Sequence, residues 1–137
     1  MTRHSDGFTL IESLVAMAIV VAIALGSAQL FTVAIARNMA AREQLAMSLL
    51  ASTKVNDLAA AAADGSIAIS PPDSLDCSAA DFADTAVDNG RSYVRCWRIS
   101  RVPGFGDDVV AIAVRVTPAA GGGGDVRLAT IREWWRP

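Results

Sequence analysis

At 137 residues the chain has room for one modest domain, and its 53% hydrophobic content, with a mean hydropathy of +0.37, is high for a soluble domain of that size. A formal net charge of −2 argues against bulk attraction to nucleic acid or to anionic lipid. The only histidine, His4, lies in the first few residues, so no histidine base or Cys–His pair remains for the body of the chain, and no cofactor is expected.

Residues 1–7 (Met-Thr-Arg-His-Ser-Asp-Gly) are short and polar, unlike the start of a packed element. The excess hydrophobicity follows at once. From Phe8 to Ala36 only Thr9, Glu12, Ser13, Ser27, Gln29 and Thr32 are clearly polar, and Glu12 is the single formal charge. As a helix such a run would be about 43 Å long, against about 30 Å for the hydrocarbon core of a bilayer, which predicts a membrane-spanning segment. A secretory signal has a shorter apolar core and a cut after it. Here the apolar run passes without turn signals into a helical pattern, so any cut is expected before it.

Beyond Arg37 the pattern becomes amphipathic. Leu45, Met47, Leu49, Leu50, Val55 and Leu58 supply apolar positions, while Arg37, Arg42, Glu43, Lys54 and Asp57 supply charge. Neither Pro nor Gly interrupts from Ser27 to Asp64, and Gly65 is placed to end a helix. One helix over 8–63 is predicted, its first half in the membrane and its second half laying one face on a small domain. Residues 64–137 make up that domain.

Residues 64–90, with Gly65, the Pro71-Pro72 pair and scattered Asp and Ser, read as a long loop. Three strands are expected after it: Ser92–Val102, Val109–Thr117 and Val126–Trp135. They are separated by Pro103-Gly104-Phe105-Gly106-Asp107-Asp108 and by the four glycines at 121–124. The fold class is α+β, a long helix packed on an antiparallel meander of about three strands. Two cysteines, Cys77 and Cys96, lie beyond the apolar run. Their even number fits one disulfide in an oxidising compartment, joining the loop to the first strand, with two free buried thiols as the alternative.

The string Gly7-Phe8-Thr9-Leu10-Ile11-Glu12, followed by the apolar helix, carries the most information. It resembles the class III signal sequence of type IV prepilins and type II secretion pseudopilins. The features are a short leader with a basic residue (Arg3), Gly before the cut, Phe after it, and Glu as the fifth mature residue. The resemblance implies that a prepilin peptidase reads Gly7 and that Phe8 becomes an N-methylated terminus. It implies that Glu12 recruits the subunit by pairing with a neighbour's terminal amine. Physical reasoning agrees. A carboxylate in a bilayer costs about 2.5–3.5 kcal/mol even on gentle scales, and it lies within one turn of a freed amino group.

Basic residues flank the run on both sides (Arg3; Arg37 and Arg42), so orientation rests on the leader: N-terminus cytoplasmic, C-terminal domain periplasmic. The implied partners are the peptidase, other pilin or pseudopilin subunits and an inner-membrane assembly platform. The chain departs from many major pilins in having Gly26 but no Pro before Pro71. The run Tyr93-Val94-Arg95-Cys96-Trp97-Arg98-Ile99, then Val109–Val116 and Val126–Ile131, resembles minor pilins of the type IV pilus modification class and the I-type minor pseudopilin of type II secretion. A structural subunit is expected, not an enzyme.

Two further groups of residues have a functional reading. Arg91, Tyr93, Arg95 and Trp97 share one face of the first strand and mix cations with aromatics, the ingredients of a single-strand nucleic-acid platform. A half-buried strand with Trp97 against the helix is the favoured alternative. Asp73, Asp76, Asp81, Asp84 and Asp88 lack the alternating spacing of a calcium loop and read as a solvated acidic loop. Trp134 and Trp135 read as packing or subunit-contact residues.

Overall fold

The computed structural model describes residues 9–105, 108–121 and 123–133. The element order is a long helix α1 (Leu10–Ala63), two short 3-10 turns (Ser74–Asp76 and Ala80–Phe82), and strands β1 (Ala83–Asp88), β2 (Arg91–Arg101), β3 (Val109–Pro118) and β4 (Val126–Glu133). The chain divides into two compact units, Met1–Ala41 and Arg42–Pro137.

In the first unit α1 stands alone. Thr9 opens the helix, its carbonyl accepting from the backbone N–H groups of Glu12 and Ser13 at 3.0 and 3.3 Å. From residue 9 to residue 41 every residue is exposed, including Leu14, Val21, Phe31 and Ile35. A stretch this apolar and this bare is long enough to cross a membrane.

The second unit is a helix-on-sheet domain. The sheet order is β1-β2-β3-β4, every pair antiparallel. Facing residues in register put Trp97 beside Val114 and Ile99 beside Ile112, with Leu128 and Thr130 completing those rows on β4. This inner face, with Tyr93, Val110 and Val116, packs on Met47, Ala51 and Ala62 of α1, flanked by Leu50, Val55 and Leu58. The helix positions recur at three- and four-residue intervals and the strand positions at two, which lets both elements bury one face.

α1 ends as Gly65 predicts. Its N–H donates to the Ala62 carbonyl at 3.2 Å and the Ser66 N–H to Ala61 at 3.0 Å, the paired bonds of a Schellman cap. Gly65 has φ 71°, a left-handed conformation that costs glycine little.

The sheet has four strands where three are expected. The extra strand, β1, lies inside the stretch that reads as a loop. Its polar composition (Ala-Asp-Thr-Ala-Val-Asp) hides it, and its pairing with β2 through Asn89-Gly90 creates it. Both turn residues have positive φ, 47° and 77°, as a two-residue type I′ hairpin requires. Residues 66–82 are also more ordered than a long loop suggests. They form a strap whose Ser70 exchanges bonds with the length of β2 that β1 leaves unpaired: its N–H donates to the Ile99 carbonyl at 3.0 Å, and the Ile99 N–H donates to its Oγ at 2.8 Å. Ser74, fully buried, donates to that same Oγ at 3.1 Å, which satisfies both hydroxyls inside the fold.

Candidate functional site

Gly7 and Phe8, the expected processing pair, lie outside the described residues, as do Trp134 and Trp135. Glu12 is in the first turn of α1, exposed, and is the only acid in that turn. A carboxylate there lies at the positive end of the helix dipole, beside the first N–H groups of the helix. Around it Leu10, Ile11, Leu14 and Val15 are all more than half exposed. Further along, two polar side chains are absorbed by the helix itself. The Ser27 hydroxyl donates to the Ile23 carbonyl and the Thr32 hydroxyl to the Gln29 carbonyl, both at 2.8 Å. Such back-bonding lets hydroxyls sit in hydrocarbon without an open donor. Glu12 is the one formal charge between Phe8 and Ala36, the group in that apolar run for which an external partner matters most.

The second expected site is placed differently from its nucleic-acid reading. Arg91, Tyr93, Arg95 and Trp97 do share a face of β2, but it is the inner face. Tyr93 is 2% and Trp97 8% exposed, so neither ring is open to stack on a base. Arg95 is occupied by Asp84, donating from Nε at 2.7 Å and from Nη2 at 2.8 Å. Lys54 of α1 donates to the same carboxylate at 3.0 Å and stands 3.7 Å above the Trp97 ring. Phe82 meets that ring edge-on at 6.5 Å. Arg91, more than half exposed, lies 3.5 Å from Glu43 of α1. The mixed cation–aromatic face thus joins α1 to the sheet.

Burial raises the Asp84 carboxyl, but hydrogen bonds from Arg95 and Lys54, with the charges of both, outweigh it and hold the group below its ordinary value. Lys54 and Asp84 are 30 residues apart, and only the register of β1 against β2 brings Asp84 opposite Arg95.

On the outer face a second ionic group joins the strap to the sheet. Arg115 donates to Asp125 at 3.1 Å and to the Leu75 carbonyl at 3.3 Å, and lies 3.7 Å from Asp76. Arg127 donates to Asp125 at 2.7 Å, and this bond leads the lowering of that carboxyl. Cys77 and Cys96 are joined as a disulfide, as expected. The five aspartates are dispersed: Asp73 and Asp76 in the strap, Asp81 in the second 3-10 turn, Asp84 and Asp88 on β1. Among the described residues, no group of three or more His, Cys, Asp or Glu side chains comes together as a metal site.

A family model described as a prokaryotic N-terminal methylation motif matches residues 2–28, which span the Gly7–Glu12 string and most of the exposed apolar helix. No curated protein matches the chain, and no solved structure does.

Proposed function

We propose that this chain, type IV pilin-like in its methylation motif, long apolar helix and following sheet, is a minor pilin-like subunit that assembles through its N-terminal helix into a type IV pilus. The observation that carries the proposal is the exposed apolar stretch of α1 with one carboxylate, Glu12, in its first turn, inside the matched motif. An apolar helix surface of that length has two sinks, lipid and other helices of its kind, and a filament subunit uses both in turn. In this reading the leader stays in the cytoplasm, a prepilin peptidase cuts after Gly7 and methylates Phe8, and the domain from Arg42 onward is periplasmic. The assembly platform then extracts the helix, and Glu12 pairs with the terminal amine of a neighbouring subunit. The motif points to a structural subunit, not an enzyme. A minor pseudopilin of type II secretion is the alternative that shares the same chemistry. A tip subunit binding nucleic acid through the Arg91–Trp97 face is disfavoured by the burial of both aromatic rings.

The test is Glu12→Gln, which keeps size and deletes charge. Membrane insertion and cutting after Gly7 should continue, since the costly buried ion is gone and the peptidase reads the leader. Incorporation should fail, because removing one member of a buried pair costs about 3–5 kcal/mol. The readout is the mutant to wild-type ratio in sheared filaments or crosslinked subunit complexes at equal membrane abundance. Equal incorporation would make Glu12 a mere headgroup-level residue. Mass spectrometry of the membrane-extracted protein should also show Phe8 as a singly methylated N-terminus, and recovery of Met1 or Thr2 on the mature chain would overturn the class III processing.

A further inference from the structure

The disulfide has two unlike ends. Cys96 sits in the middle of β2 at 0% exposure. Cys77 closes the Ser74–Asp76 turn in a left-handed conformation, φ 61°, and is only half-buried. Of the two residues, Cys77 is the one with surface open to a reagent that approaches the folded domain.

The strap that carries Cys77 is fastened by contacts that involve no sulfur. Ser70 is bonded in both directions to Ile99, and Arg98 donates to the Pro72 carbonyl at 3.3 Å. Arg115 donates to the Leu75 carbonyl at 3.3 Å and lies 3.7 Å from Asp76, the two residues immediately before Cys77. In the β2–β3 register Arg115 is directly opposite Cys96. One side chain therefore ties the strand beside Cys96 to the turn that ends in Cys77. None of these contacts involves either sulfur, and together they hold the turn that ends in Cys77 against the strand that carries Cys96.

We propose that Cys77 is the entry sulfur through which a dithiol–disulfide oxidant loads this bond, that Cys96 is the resolving sulfur, and that Arg115 is a positioning residue for the closing step. In the first step the Cys77 thiolate attacks one sulfur of the oxidant's disulfide. That S–S bond breaks, a mixed disulfide forms on Cys77, and the oxidant's other sulfur leaves as a thiolate. In the second step the Cys96 thiolate attacks the Cys77 sulfur, the mixed bond breaks, and the oxidant's second sulfur leaves. Two thiols of this chain lose two electrons and two protons, and the oxidant gains a dithiol. Reduction runs the same path backwards, with the attacking thiolate entering at Cys77.

The test uses the full mature chain in detergent micelles, with oxidised glutathione as the probe. In Cys96→Ser, glutathione should add to Cys77 at least about tenfold faster than it adds to Cys96 in Cys77→Ser. Because either variant can fail to fold, reduced wild type is also treated with limiting iodoacetamide and its labelled peptides are mapped. Cys77 should be labelled first, with the circular dichroism of the folded domain retained. Arg115→Gln should slow release of glutathione from the wild-type pair about tenfold, while addition at Cys77 in the Cys96→Ser background stays unchanged. Arg115→Lys should restore part of the closing rate. Equal labelling of the two cysteines in reduced wild type, or faster labelling of Cys96, overturns the assignment of entry and resolving sulfurs. A closing rate in Arg115→Gln equal to wild type removes Arg115 from it.

Discussion

The two stretches of α1 obey opposite rules. Up to Ala41 the helix is nearly all apolar and every described residue is exposed; from Arg42 it is amphipathic, and Met47, Ala51 and Ala62 are buried against a sheet. In water the first pattern is a liability and the second a stable packing, so the same secondary structure serves two solvents. The first stretch draws its stability from whatever apolar medium surrounds it. The second carries its own core and can be studied as an ordinary fold.

Substitutions test that division. The largest effect should come from Trp97→Ala, which empties the space between Lys54, Phe82 and Val114 and should cost the second unit about 3–5 kcal/mol in urea unfolding. Val21→Ala, in the bare stretch, should leave the same unfolding curve unchanged. A comparable loss from Val21→Ala would mean that the two stretches share a core. Next comes reduction of the Cys77–Cys96 bond, whose sequence separation of 19 is worth about 3 kcal/mol in the chain-entropy model. Unfolding with and without reductant measures it directly.

Asp84→Asn should cost less, about 1–2 kcal/mol, since the carboxylate is a third exposed and water screens part of its attraction to Lys54 and Arg95. The pH dependence has a definite sign. Asp84 is held below its ordinary value, so its stabilisation is full above the unfolded carboxyl pKa and is lost as pH falls through the lower folded value. Melting temperatures taken downward from neutral pH should therefore fall more steeply in wild type than in Asp84→Asn. Parallel curves would show that other carboxylates set the acid limit. The smallest effect belongs to Gly90→Ala. With φ 77° and no atom within 4 Å of an added Cβ, its cost is conformational alone, about 1 kcal/mol. A loss much larger than that would point to a contact at the hairpin.

Much of this architecture is legible in the residues because its signals are local. Val110, Ile112, Val114 and Val116 alternate along β3, and glycine-rich turns bound the strands on either side. Gly65 marks the helix end within the chain itself. β1 escapes that reading because two of its six residues are aspartates and only one face is half-buried, so the alternation is faint. Asn89-Gly90 is its one strong local mark, since that pair favours a two-residue hairpin. The direction in which the Arg91–Trp97 face points is not a local property. It follows from which side of the sheet α1 covers, and the same alternation serves either choice. The Lys54–Asp84 pair is hidden for the same reason: 30 residues separate its members.

The strand order β1-β2-β3-β4 has a consequence for how the domain is made. Every strand pairs with its immediate neighbour in the chain, and the first connection is only Asn89-Gly90. Chains are delivered from the N-terminus, so β1 and β2 can close within microseconds, long before β3 has emerged. Each later strand finds its partner already formed and waiting at the edge. Low contact order of this kind favours fast folding, and it limits the time for which an unpaired edge faces other chains. Because the chain is synthesised amino end first, the topology lets the sheet grow at the rate at which its strands are made.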